Sequence, residues 1–340
     1  MLALPARTMA LNYGGVVQRD AGAFVAGGRV KLRHLARVWP EQEHFNLLYL
    51  VSSAPPKFAL ELVAWAKARG VKFVWNQNGV AYPAWYGTRS EELNGPMRAL
   101  RQQADYIFNQ SEFCRQCADR FLGPVHVPDE IAYNCVDIDH FSPAAPPSGS
   151  ACRLLAAGSH YEPARVFLVL ETVAELLRRN FPVELQLAGR LAWSDAESAV
   201  TARIHALGIG SSVGRIAAYR QADAPAIYRA AHILLHPKYK DPCPTVPIEA
   251  MACGLPVVGS ASGGMPELVS RESGVLIEVP ESWEENQWPS PPAMADAVET
   301  IMSRYADFRE GARANAQSRF SKQGWLAQHR RVFQSLVASS

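Results

Sequence analysis

From Phe45 onward, short apolar runs alternate with longer segments whose apolar residues recur at helical spacing. Such a chain hides its apolar faces most simply by stacking βαβ units around parallel sheets. Phe45–Val51, Val71–Trp75 and Asp105–Asn109 read as strands, with Pro56–Arg69, Glu91–Gln103 and Glu112–Phe121 as the helices between and after them. The pattern breaks over Asp137–Gly149, where a proline-rich stretch without periodicity reads as a linker. It then resumes with strand Arg153–Ala157, helix Pro163–Arg179, strand Val183–Ala188 and helix Asp195–Leu207, closed by Gly208. Strand Ile233–His236, helix Val246–Cys253, and strands Pro256–Gly259 and Val275–Glu278 continue the series; helical patterns Ala293–Tyr305 and Trp325–Val337 close it. The reading is two α/β domains, 1–136 and 151–320, joined by a 137–150 linker, with a returning helix in 321–340. A cleft between them is where a small-molecule site is expected.

Composition narrows the function classes. The chain has 340 residues, 48% hydrophobic and 19% charged, which excludes a disordered or fibrous protein. Its net charge of +2 lacks the basic excess of a nucleic-acid binder. The longest uncharged apolar stretch, Ala250–Pro266, is glycine-rich and too short to span a bilayer as a helix. The N-terminus lacks a secretory-signal pattern, and the six cysteines form no disulfide framework, so a cytoplasmic location is expected. The charge is unevenly spread: residues 1–40 and 301–340 each carry +5, leaving −8 between them. Brought together, Lys31, Arg33, Arg37, Arg330 and Arg331 are candidates to face anionic lipid at the inner membrane or a phosphorylated acceptor; a solvated helix face is the plainer reading.

The richest segment is Lys240–Val269. It places Asp241 just after a strand and Glu249 in the first turn of a helix ended by Gly254. An ionised carboxylate accepts two hydrogen bonds side by side, which suits paired sugar hydroxyls. The amides of Thr245 and Val246, at that helix's N-terminus, suit a phosphate. By spacing alone, the two acids are equally a loop residue and an ordinary helix charge. Cys114 and Cys117 have metal or redox spacing but no second pair.

IEAMACGLPVVGSASGGMPELV, with ADYIFNQSEF at Ala104–Phe113, IAYNCVDIDHFSP at Ile131–Pro143 and the spacing of Ile227–Pro237, resembles glycosyltransferase family 4 over roughly residues 45 to 320. The resemblance implies a GT-B fold: two Rossmann-like domains with parallel sheets facing across a cleft, and a C-terminal helix crossing back to the first. It implies metal-independent, retaining transfer of a hexose-type sugar from a nucleotide sugar to a glycan, lipid-linked or small-molecule acceptor, with no cofactor. Glu249 would hold the nucleotide ribose. Asp241, standing where the family usually has glutamate, would contact the donor sugar. Gly158 and Ser159 stand where the family has a glycine–arginine pair, and Arg165 is the nearest substitute for its lysine. Asn78 stands where many relatives have a sugar-contacting histidine, and Asn-Gly is equally a plain turn. Gly14 and Gly15 resemble the family's glycine-rich loop, where backbone approaches phosphate or acceptor. The missing clamp leaves a second reading open, a nucleotide-sugar-binding protein with weak or no transfer. An epimerase or a phosphorylase has no recognisable signature here.

Overall fold

The computed structural model describes residues 8–17 and 27–338. The chain divides into two compact units. The first comprises Met1–Cys135, Ser282–Asn286 and Lys322–Ser340; the second comprises Val136–Glu281 and Gln287–Ser321. The extreme start of the expected first domain, residues 1–7, lies outside the described residues.

The first unit runs β1 (Leu11–Asn12), α1 (Gly27–Val38), β2 (Leu47–Val51), α2 (Ala59–Lys67), β3 (Lys72–Gln77), α3 (Pro83–Tyr86), α4 (Ser90–Arg101), β4 (Tyr106–Asn109), α5 (Glu112–Leu122) and β5 (Asp129–Ile131). Among the described residues its five strands are parallel and lie in chain order, β1 to β5. Every residue of β2 is buried. Tyr49, Val51, Val74 and Phe108 pack on one face with Leu32 and Leu35 of α1, while Leu48, Leu50, Phe73 and Trp75 pack on the other with α2 residues Ala59 and Val63. A strand covered on both faces reads as a continuous apolar run, which is why β2 was legible from sequence.

The second unit runs β6 (Cys152–Ala157), α6 (Pro163–Arg178), β7 (Val183–Ala188), α7 (Ala196–Ala206), β8 (Val213–Ile216), α8 (Ala224–Arg229), β9 (Ile233–His236), α9 (Thr245–Ala252), β10 (Val257–Ser260), α10 (Met265–Leu268), β11 (Gly274–Ile277), α11 (Pro291–Ser303) and α12 (Tyr305–Arg319). Its strands are parallel in the order β11-β10-β9-β6-β7-β8. The winding reverses between β6 and β9, and ligands of open α/β sheets bind at the strand ends beside such a reversal. In α6, Val166, Leu170 and Val173 recur at helical spacing and are buried, Leu177 on the same face is partly buried, and Leu168, Val169 and Leu176 widen the face.

Among the differences from the sequence reading, three shape the two units. Helix α12 was not foreseen because YADFREGARANAQSR is polar and centres on Gly311. That glycine is there for close packing, since a Cβ would fall 2.1 Å from the Glu272 carbonyl oxygen. The 137–150 stretch is no free linker but is fastened to the second unit. Arg229 donates to the carbonyls of Ser142 at 2.7 Å and His140 at 3.0 Å, and Arg313 to those of Ile138, Phe141 and Ala252. Finally, Ser282–Asn286 leaves the second unit to join the first, where Trp283 packs 5.3 Å from Tyr82 and its carbonyl accepts from the Ala84 amide at 2.8 Å.

The returning helix α13 (Lys322–Ala338) places Trp325, Val332, Phe333 and Val337 in the first unit's core beside Leu32, Leu35 and Trp39 of the α1 segment. Helices α1 and α13 therefore meet there. Lys31 is 4% exposed and turned inward, which corrects its expected place facing lipid. Arg331 pairs with Glu130, and Arg330 lies over the Trp39 ring. Arg304, Arg309, Arg313 and Arg319 belong to the second unit together with Asp307 and Glu310, while Lys322, Arg330 and Arg331 lie on α13 in the first. Among the described residues no helix is long and apolar enough to cross a membrane.

Candidate functional site

The site residues of the second unit come from the ends of the two strands that flank the reversal. β6 ends in Gly158, whose φ of +103° admits the turn toward α6. β9 ends in His236, and the loop Pro237–Pro244 leads to α9. A Cβ on Gly158 would touch Val246 Cγ2 at 3.3 Å, so the start of α9 lies directly on the Gly158 turn. The first N–H groups of a helix have no acceptor within it, so Thr245 and Val246 present amides at that turn, beside exposed Ser159.

Glu249 is the fifth residue of α9, one residue further in than the sequence reading placed it. Its carboxylate accepts from Tyr228 Oη at 2.9 Å and from Gln221 Nε2 at 3.2 Å. Burial pushes its pKa up to about 7, and the two hydrogen bonds oppose that rise. Neither partner was singled out in the sequence; Tyr228 lies on α8 and Gln221 in the loop before it.

Asp241 sits among cations. Its Oδ2 lies 3.1 Å from Lys238 Nζ and 3.4 Å from His236 Nε2. Burial alone would raise its pKa, but Lys238 and His236 outweigh that and hold the carboxyl well below the usual range. His236 is neutral at pH 7, its pKa lowered to about 4 by burial and by Arg165. Arg165 Nη2 lies 3.3 Å from His236 Nδ1 and 3.3 Å from the Ala157 carbonyl oxygen. An arginine donates only, so Nδ1 accepts and the proton of the neutral ring sits on Nε2, facing Asp241. The chain Arg165, His236, Asp241, Lys238 thus fixes an ionised carboxylate at the end of β9.

This arrangement alters the role expected of Arg165. It is 5% exposed, with its guanidinium spent behind His236. Lys238, 25% exposed on the open side, is the cation that sequence reasoning missed. The signal was present in HPKYKD, two lysines just ahead of the acid, but nothing local distinguishes them. Lys240 is fully buried, with φ of +47°, and pairs with Glu281.

In the first unit, Asn78 is buried and bonded internally. Its Oδ1 accepts from Lys31 Nζ at 2.9 Å, its Nδ2 donates to Ser53 Oγ, and its amide donates to Ser52 Oγ at 2.8 Å. Lys31 also donates to Asn76 Oδ1 at 2.7 Å. The glycine-rich loop is likewise filled. Glu41 Oε1 accepts from the amides of Tyr13 at 2.9 Å and Gly15 at 2.8 Å, and Asn12 Oδ1 accepts from Gly14 at 2.8 Å. The loop amides expected to meet a phosphate already hold a carboxylate of this chain. Trp75 and Tyr82 are core residues, while Tyr86 is 46% exposed. All six cysteines are buried free thiols.

The fold is that of GT-B glycosyltransferases. Sucrose-phosphate synthase from Thermosynechococcus elongatus superposes with a TM-score of 0.69 at 18% identity, covering 92% of this chain and 77% of that one. The Anabaena protein Alr3699/HepE in complex with UDP-glucose superposes with a TM-score of 0.68 at 19% identity, covering 90% and 81%. Residues 151–304, the bulk of the second unit, match the family described as glycosyl transferases group 1. D-inositol 3-phosphate glycosyltransferase of Segniliparus rotundus is 32% identical over 123 residues, 36% of this chain and 27% of that protein. Its Salinispora tropica counterpart is 43% identical over 74 residues, 22% and 15%. These matches span about a quarter or less of the curated relatives' length.

Proposed function

We propose that this protein is a retaining, metal-independent glycosyltransferase that moves a hexose-type sugar from a nucleotide sugar to a hydroxyl acceptor on a glycan, lipid-linked or small molecule. The observation that carries the reading is the pair of held carboxylates at the strand reversal. Glu249 offers its oxygens to the ribose hydroxyls, while Asp241 meets the donor sugar. The start of α9 receives the diphosphate through the Thr245 and Val246 amides. No protein nucleophile is required if the acceptor hydroxyl attacks on the face the leaving diphosphate vacates; alignment and leaving-group stabilisation then supply the rate. The match to glycosyl transferases group 1 over residues 151–304 supports this assignment. So does the fold it shares with the Anabaena protein solved in complex with UDP-glucose.

A second reading, binding without transfer, is favoured by one observation: Ser159 is uncharged and Arg165 is turned inward. Incubating the purified protein with UDP-, GDP- and ADP-linked hexoses and a panel of acceptors separates the two. Transfer, or slow donor hydrolysis, is expected; saturable binding with neither supports the second reading, and no binding at all overturns both.

The pH dependence of binding follows from Glu249. Ribose hydroxyls donate to an ionised carboxylate, and a protonated one offers a competing donor. With its pKa at about 7, affinity for the nucleotide is expected to be level above pH 8 and to fall about tenfold per unit below pH 7. Calorimetric titration of UDP from pH 5.5 to 8.5 checks this, and a flat profile refutes it.

A further inference from the structure

We infer that Lys238 is the residue that meets the donor's diphosphate, in place of the arginine and lysine that the second unit lacks; this rests on the nucleotide-sugar reading above. The cations that follow the ends of β6 and β9 are Arg165, Lys238 and Lys240. Arg165 lies behind His236 and is 5% exposed. Lys240 is fully buried against Tyr239 and paired with Glu281. Lys238 is 25% exposed and stands beside Asp241, seven residues before the helix start at Thr245. The loop beneath it is fixed, because Ser260 Oγ donates to the Lys238 carbonyl at 2.9 Å.

Charge balance makes this lysine necessary. The carboxyls of Asp241 and Glu162 both act on this group of side chains. A diphosphate entering beside Asp241 without a cation would meet a like charge in a partly desolvated place, which is costly. The ammonium that now pairs with Asp241 screens that carboxylate and offers its charge to the phosphate oxygens. Arg165 acts through His236 as a positioning residue, keeping Asp241 aimed.

The test is calorimetry of uridine, UMP and UDP on the unaltered protein and on Lys238→Met, Lys238→Arg and Arg190→Met, the last being an exposed arginine just past β7. Loss of a charge-assisted contact predicts a ten- to hundredfold weaker UDP affinity in Lys238→Met, little change for uridine, and substantial recovery in Lys238→Arg. Unchanged UDP binding in Lys238→Met overturns the assignment, as does a loss shared equally by uridine or one confined to Arg190→Met. GDP and ADP are titrated in parallel. If the unaltered protein binds none of the three, the nucleotide-sugar reading itself fails; if it binds one of them and Lys238→Met binds it as well, only the role of Lys238 falls.

Discussion

Glu249→Ala is expected to lower nucleotide affinity and transfer at least about a hundredfold, because two hydrogen bonds from ribose to a charged acceptor are lost together. Circular dichroism is expected to be unchanged, since the side-chain hydrogen bonds lost are those to Tyr228 and Gln221 and no backbone bond is removed. The companion Glu249→Gln separates binding from stability. A carboxyl whose folded pKa is raised from 4.5 to about 7 contributes stability that is full below the unfolded value and lost as pH rises through 7. Its ionisation costs the empty protein roughly 3 kcal/mol at neutral pH by the 1.36 kcal/mol per unit relation. Glutamine removes that cost, so Glu249→Gln is expected to melt higher than the unaltered protein at pH 8 while binding nucleotide poorly and without pH dependence. Tight binding of UDP by Glu249→Ala would remove the carboxylate from the site.

Gly189→Ala is expected to be the most damaging small substitution in the second unit. Gly189 follows β7 with φ of +118°, and a Cβ there would fall 1.9 Å from the Gly158 carbonyl oxygen and 2.8 Å from its carbon. Both atoms are backbone, so relief requires moving the Gly158 turn on which the start of α9 rests. The expected cost is about 3 kcal/mol or more, combining overlap with a disfavoured backbone conformation, together with loss of donor binding. Gly208→Ala is the control: φ is +66° with no atom within 4 Å, so only about 1 kcal/mol of strain is expected and binding should persist. Equal melting temperatures for the two variants would show that the Gly158–Gly189 crossing does not hold the site.

The alternation of apolar periods carried most of the fold. β2, β6, β7 and β9 emerge within two residues of their expected ends; β2 and β9, buried on both faces, leave an unbroken apolar signature, and β7 alternates. Elements without that signature escaped: α12 is polar along most of its length, and β5 has only partly buried or exposed residues. The candidate carboxylates were legible because their spacing and flanking glycines are local. Their partners were not. Tyr228 reaches Glu249 across 21 residues, and Arg165 reaches His236 across 71. The filling of the glycine-rich loop by Glu41 is a contact across 26 residues that no local pattern encodes.

By itself, then, the sequence determined the succession of strands and helices, the two α/β units, and the placing of Asp241 and Glu249 around the start of a helix, since period, turn residues and spacing are properties of neighbouring residues. Tertiary structure alone decided which way the long cations point. Lys31 is turned into the core, Arg165 lies behind a histidine, Lys238 stands at the open side, and four C-terminal arginines serve the second unit. The physical reason is that a lysine or arginine side chain spans several ångströms with a free choice of direction. Its direction is set by whichever acceptors the fold brings within reach.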